Sequence, residues 1–235
     1  MKNRGVDLSI GWRDKVGEFG YNITANISRY KNEVTRLGSS DLFNDTRLSK
    51  VNITMVGQPV GMFYGYQIEG IYQNEQDVIS SGVLPYGVAT ENDLVASAWV
   101  GRYKMKDVNN DGKIDADDRT IIGNPHPDLT GGFNISLTWR DFDLSTYMYY
   151  SIGNDLYKHY EYYTMFGNLQ SNYSKDRLAK SWDPVNNPNG IYPLWTTTST
   201  EGPEAGNESN SNYVQDGSYL RMQTLTLGYS LPKKL

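Results

Sequence analysis

Two stretches of this chain alternate apolar and polar residues with a strict period of two, a pattern that fits β-strand and little else. The first carries Val6, Leu8, Ile10 and Trp12, then Phe19, Tyr21, Ile23, Ala25 and Ile27, with Asp7, Ser9, Gly11, Asn22, Thr24, Asn26 and Ser28 in the gaps. Successive side chains of a strand point to opposite faces, so each run is apolar on one face and polar on the other. A turn over 14–17 sets Arg13 opposite Glu18 and predicts the pairs Trp12–Phe19, Ile10–Tyr21, Leu8–Ile23 and Val6–Ala25. The second stretch repeats the design. Phe133, Ile135, Leu137 and Trp139 lead to the two-residue turn Arg140-Asp141, and Phe142, Leu144, Thr146, Met148 and Tyr150 follow. This spacing predicts Trp139 opposite Phe142, Leu137 opposite Leu144, Ile135 opposite Thr146 and Phe133 opposite Met148. A further strand over 218–230 alternates at Leu225, Leu227 and Tyr229.

One-sided hairpins suit either a soluble sandwich or the wall of a membrane barrel. The connections separate the two. Short turns lie at one end, while long polar segments follow Ile27 and Tyr150 at the other. That asymmetry is the pattern of outer-membrane barrels, with periplasmic turns and extracellular loops. The expected fold is therefore all-β: a partial antiparallel transmembrane β-barrel with long extracellular loops, extending over 1–235. Strand direction further requires zero or an even number of spanning strands between residues 30 and 128. The alternative is a secreted, calcium-containing β-sandwich module that binds carbohydrate.

Composition agrees with the barrel. The 19 Tyr, 5 Trp and 6 Phe favour strands. A mean hydropathy of −0.60 is compatible with a membrane wall in which only every second residue meets lipid. No apolar run is long enough for a transmembrane helix. The net charge is −5, with no basic run, which argues against nucleic acid as a partner. There is no cysteine, and so neither a disulfide nor a thiolate metal site. No apolar segment follows Met1 to Arg4, so an export signal is expected to lie in a longer protein of which this chain is a piece.

The sharpest chemical motif occupies residues 107–118. Asp107, Asn109 and Asp111 fall at the first, third and fifth positions of an EF-hand type of loop, and Gly112 takes the sharp turn. The carbonyl of Lys113 fits the seventh position, Asp115 the ninth, and Asp118 stands where Glu is usual. Hard oxygens at this spacing predict one calcium ion and no organic cofactor. Catalytic constellations are weak: His126 lies between prolines, His159 lies among tyrosines, and neither has an obvious nucleophile or second His at ligand spacing. An enzyme is not expected. Aromatic residues after Tyr150 suit sugar stacking, and Tyr157, Tyr160, Trp182, Tyr192 and Trp195 are the candidate substrate-binding residues.

Several longer motifs resemble the SusC/RagA family of TonB-dependent receptors. They are Gly57-Gln58-Pro59-Val60-Gly61, Phe63-Tyr64-Gly65-Tyr66, Gly70-Ile71-Tyr72, the run from Lys106 to Arg119, and Ile122-Gly123-Asn124-Pro125. Gly132-Phe133, Phe142-Asp143-Leu144-Ser145, Gly153-Asn154-Asp155, Tyr219-Leu220-Arg221 and Leu231-Pro232 continue the match in order. The resemblance implies a large outer-membrane importer of oligosaccharides or peptides in Bacteroidota-type bacteria, with a plug inside a barrel of about 22 strands. It also implies a SusD-like surface lipoprotein and the TonB complex as partners. The plug and the closing strands of such a barrel are expected to lie outside this sequence.

Overall fold

The computed structural model describes residues 1–38, 41–46, 49–166, 172–195 and 206–231. Its largest sheet has five strands: β1 (Lys2–Val16), β2 (Phe19–Glu33), β9 (Leu129–Trp139), β10 (Phe142–Ile152) and β13 (Tyr219–Tyr229). They lie in the order β1-β2-β9-β10-β13, and every pairing is antiparallel. β2 and β9 are direct neighbours, so the intervening residues add no strand to this sheet. Zero is thus the number of spanning strands between them.

The β9–β10 register is the predicted one. Trp139 faces Phe142, Leu137 faces Leu144, Ile135 faces Thr146 and Phe133 faces Met148. The turn is completed by Arg140 in the left-handed region at φ 53°. The β1–β2 register differs from expectation. Val16 pairs with Phe19, so Trp12 faces Ile23, Ile10 faces Ala25, Leu8 faces Ile27 and Val6 faces Arg29. Asp14, Lys15 and Val16 continue the strand instead of turning. Gly17 then supplies the positive φ (63°) that a two-residue hairpin turn requires. The correction moves each partner by four residues. Because the shift is even, it leaves every side chain on the face the alternation assigned.

That face is uncovered. Trp12 is 68% exposed, Ile10 62% and Leu227 73%, and Phe133, Trp139, Phe142, Leu220, Met222 and Leu225 are exposed beside them. On the other face the registers align Asp7, Ser9, Asn22, Thr24, Asn26, Ser28, Asn134, Ser136, Thr138, Asp143 and Ser145. A sheet made for water has the reverse arrangement, with its apolar face buried and its polar face wet. The eleven residues of β9 and of β10 match the length a tilted strand needs to cross a bilayer, about 9–11 residues. At the turn end, Arg140 Nε donates to Glu18 Oε2 at 2.6 Å and so joins the two hairpins.

At the opposite end the long connections fold into a body with its own core, not the irregular stretches the sequence suggested. Four short strands, β3 (Leu42–Thr46), β4 (Ser49–Thr54), β5 (Met62–Gly65) and β8 (Thr120–Gly123), form one sheet. β6 (Ile68–Ile71) pairs with β7 (Tyr103–Met105), and β11 (Asp155–Tyr157) with β12 (Val214–Asp216). Helices α1 (Glu75–Ser80) and α2 (Lys175–Lys180) have six residues each and are capped by Asn74 and Ser174. Tyr66, Ile71, Tyr103, Met105, Ile114 and Trp182 make the main core, and Val51 and Tyr213 a second one. Distant segments are tied by backbone bonds: Tyr66 N–H donates to the Ser209 carbonyl and Ser211 N–H to that of Tyr66, each at 2.9 Å. A Cβ at residue 65 would stand 2.2 Å from the Ser209 carbonyl, which is why Gly65 occupies this crossing. No helix among the described residues is long and apolar enough to cross a membrane.

Candidate functional site

The acidic loop at 107–118 folds around its own amides. Asp107 Oδ1 accepts from Asn110 N–H (2.6 Å) and Asp111 N–H (3.2 Å), and its Oδ2 accepts from Gly112 N–H (2.8 Å). Asn110 and Gly112 take positive φ, 60° and 83°, and this curls the chain over that carboxylate. Asp118 is fully buried and accepts from Val108 N–H and Asp115 N–H, both at 2.8 Å. The loop is anchored where Ile114 enters the main core and pairs with Leu84. Asn109 Oδ1 accepts from Asp111 N–H, and Asp111 Oδ1 from Lys113 N–H. Lys113 Nζ lies 2.8 Å from Asp115 Oδ2, which holds the Asp115 carboxyl below the ordinary range, with help from the Asp117 amide. Asp107 and Asp118 therefore spend lone pairs inward, while Asn109, Asp111 and Asp115 stand nearer solvent. No cluster of three or more His, Asp or Glu side chains among the described residues is arranged around a common point for a metal.

The five aromatic candidates separate by burial. Trp182 and Tyr192 are core residues, 3% and 4% exposed. The Trp182 indole N–H donates to Gln73 Oε1 at 2.8 Å, and Tyr192 meets Phe166 edge-on. Burial, then the Glu161 carboxylate, pushes the Tyr192 phenol up to about 12. Tyr157 is half-buried, stacks on Tyr213 at 5.4 Å and donates to Ser209 Oγ at 2.9 Å. Tyr160 and Trp195 are exposed, 62% and 46%, and keep ring surface available to a ligand. The structure thus does not bring the five rings together into one platform.

Two clefts bring together residues that the sequence keeps apart. One, of about 350 Å³ in the loop body, is lined by Glu69, Gln73, Tyr103, Asn189, Ile191 and Asn212 among others. The other, of about 450 Å³, lies on the polar face of the sheet at its loop end. Asn3, Ser28, Tyr30, Asn32 and Thr130 line it from the sheet, and His126 and Pro127 from the connection before β9. His126 Nε2 is 2.7 Å from the Val60 carbonyl, and Tyr30 donates to Asp7 at 2.6 Å. Both clefts offer amides and hydroxyls, which suit a ligand rich in hydrogen-bonding groups.

Among known proteins, the chain is 32% identical over 243 residues to TonB-dependent receptor P3 of Formosa agariphila, a match covering 99% of this chain and 22% of that protein. It is 26% identical over 246 residues to TonB-dependent receptor SusC of Bacteroides thetaiotaomicron, covering 98% of the chain and 20% of SusC. This chain is of the SusC/RagA TonB-dependent receptor type. No family model matches it. Its fold matches a solved structure of the RagAB peptide transporter with a TM-score of 0.69 at 23% identity, covering 99% of this chain and 23% of that one. The RagAB peptide importer in a 'closed-closed' state superposes comparably, at 0.67. The chain spans about a fifth to a quarter of the length of these TonB-dependent relatives.

Sequence reasoning set His126 aside as an isolated histidine and missed both clefts. Their linings are drawn from segments far apart in the chain, as with Asn3 and His126, and no local pattern reports such a meeting.

Proposed function

We propose that this chain forms part of the barrel wall and the outer loops of a TonB-dependent importer in the outer membrane. The importer takes up oligosaccharides or peptides and works with a SusD-like surface lipoprotein. One observation carries this reading: a five-stranded antiparallel sheet whose apolar face is bare and whose opposite face is polar. A lipid-facing outside and a water-filled or plugged inside require that combination. The polar cleft beside His126 opens on the inner face, and the body cleft, Tyr160 and Trp195 stand at the loop end where a substrate would arrive. The curated relatives bear receptor names, and the solved neighbours are described as a peptide importer. Uptake decides the matter. Deletion of the full-length gene should abolish growth on one class of oligomeric nutrient, and restoring the gene should return it. Unchanged uptake of every oligosaccharide and peptide offered would overturn the proposal.

We also propose that the loop at 107–118 holds a calcium ion. A carboxylate has about four lone-pair sites, so the amide-bonded oxygens of Asp107 and Asp118 retain acceptor capacity. Asn109, Asp111, Asp115 and the Lys113 carbonyl would supply the remaining hard oxygens, with the Lys113 ammonium giving way to the ion. Calorimetry of the full-length protein should show calcium binding that Asp111→Ala weakens. Identical traces for both proteins, with no heat of binding, would reduce the loop to an amide-capped turn.

A further inference from the structure

The outward positions of β1 and β2 change character at one level. Reading from the turn, the cross-strand pairs on the apolar face run Trp12 with Ile23, Ile10 with Ala25, and Leu8 with Ile27. The next are Val6 with Arg29, Arg4 with Lys31, and Lys2 with Glu33. Both strands have fifteen residues, four more than β9 and β10. The ladder between β2 and β9 ends at Ser28 and Thr130, so Arg29 and Lys31 lie beyond it toward the loop end. Four cations, Lys2, Arg4, Arg29 and Lys31, therefore stand just past the apolar band, on the same face and on adjacent strands. All four are exposed. Among the described residues none of them is in an ion pair.

At the level of Arg29 the outward positions of the neighbouring strands are Leu129 of β9 and Ile152 of β10, and neither is charged. The cations are gathered on one pair of strands. Arg4 is directly opposite Lys31, and like charges directly across a ladder repel. An anion between them turns that repulsion into attraction. The patch faces away from the polar side of the sheet and sits at the edge of the apolar band, where a lipid headgroup lies. Arg is also the side chain best matched to phosphate, through its planar fork of donors.

We propose that Lys2, Arg4, Arg29 and Lys31 form a binding site for a phosphorylated lipid headgroup of the outer leaflet. The proposal rests on the barrel-wall reading above. Clustered Lys and Arg beside an apolar surface attract anionic lipid in this way.

The test uses the full-length protein in nanodiscs of phosphatidylcholine doped with bisphosphorylated lipid A or with its dephosphorylated form. The lipid that stays bound on release from the disc is read by native mass spectrometry. Wild type should retain the phosphorylated form roughly tenfold over the other. The K2Q/R4Q/R29Q/K31Q variant should retain the two equally, while entering the discs as well as wild type does. Inorganic phosphate at millimolar concentration should not displace the lipid. Equal retention of both lipids by wild type, or an unaltered preference in the variant, would overturn the site. Displacement by inorganic phosphate would also overturn it, by making the site one for free anions. A variant with unchanged lipid preference that loses a co-purifying protein would assign the patch to a protein partner instead. Failure of wild type to enter the discs at all would count against the barrel wall, a result distinguishable from every one of these.

Discussion

The five-stranded sheet and the loop body are built from the same aromatic-rich chain, and they treat their apolar residues in opposite ways. In the body, Tyr66, Tyr72, Tyr103, Trp182 and Tyr213 are each 3% exposed or less. In the sheet, Trp12, Ile10 and Leu227 are more than half exposed. The polar residues are inverted as well: Asp118 and Asn210 are buried with partners in the body, whereas Asn, Ser and Thr line a whole face of the sheet. One rule, burial of apolar area away from water, produces both halves once the sheet is given lipid as its solvent on one side. The contrast shows that exposure must be judged face by face, since an average over the chain hides it.

Truncating the body's core is the strongest way to sharpen the contrast. Trp182→Ala removes a buried ring and its bond to Gln73, and should cost the body about 3–5 kcal/mol. Hydrogen exchange on the full-length protein should then show faster exchange through β6 and β7 with the five-stranded sheet unchanged. Equal loosening of both regions would mean that they fold as one unit.

The next effect separates the two faces of the sheet. Ile10→Arg places a charge in the middle of the apolar band and should destabilise the membrane-inserted protein by about 2–4 kcal/mol. Ser9→Arg, one residue away on the polar face, should be near neutral. Folding titrations into bilayers measure both variants, and equal costs would break the assignment of faces.

Alkaline titration tests the body without mutation. Burial pushes the Tyr66 phenol up to about 12, against the pull of the Arg119 guanidinium beside it. The folded value is raised, so this stabilisation is fully present below the unfolded phenol value near 10. It is lost as pH rises through the window from there to about 12. Phenolate absorbance in the full-length protein should show a class of tyrosines titrating late, reduced by one in Tyr66→Phe. A variant with the same late class as wild type would contradict the buried placement.

The smallest effect belongs to the exposed pair of Arg140 and Glu18. Arg140→Ala should cost about 0.2–1 kcal/mol and lose most of its effect in high salt. A larger, salt-insensitive loss would mean that the turn end is less open to water than the structure shows.

The sheet was largely legible in the sequence because its determinants are local. A two-residue turn leaves β9 and β10 a single register, and alternation fixes the faces. The β1–β2 pairing was not legible to the residue, because Asp14-Lys15-Val16 is compatible with either turn or strand. The choice depends on Gly17 adopting positive φ. The body was legible only as long, aromatic and polar. Its order comes from meetings such as Tyr66 with Ser209, and no window of sequence contains both. For the same reason Trp182 and Tyr192 read as available rings although they are core, and the cleft beside His126 left no trace in the pattern.

Tryptophan quenching in bilayers tests the central claim most directly. The full-length protein is prepared with Trp12 and Trp139 as its only tryptophans, and separately with Trp182 alone, in bilayers containing brominated lipid. Bromolipid should quench Trp12 and Trp139 strongly and Trp182 hardly at all, with aqueous iodide failing to reach the first two. Trp12 and Trp139 quenched by iodide and untouched by bromolipid would contradict a lipid-facing sheet.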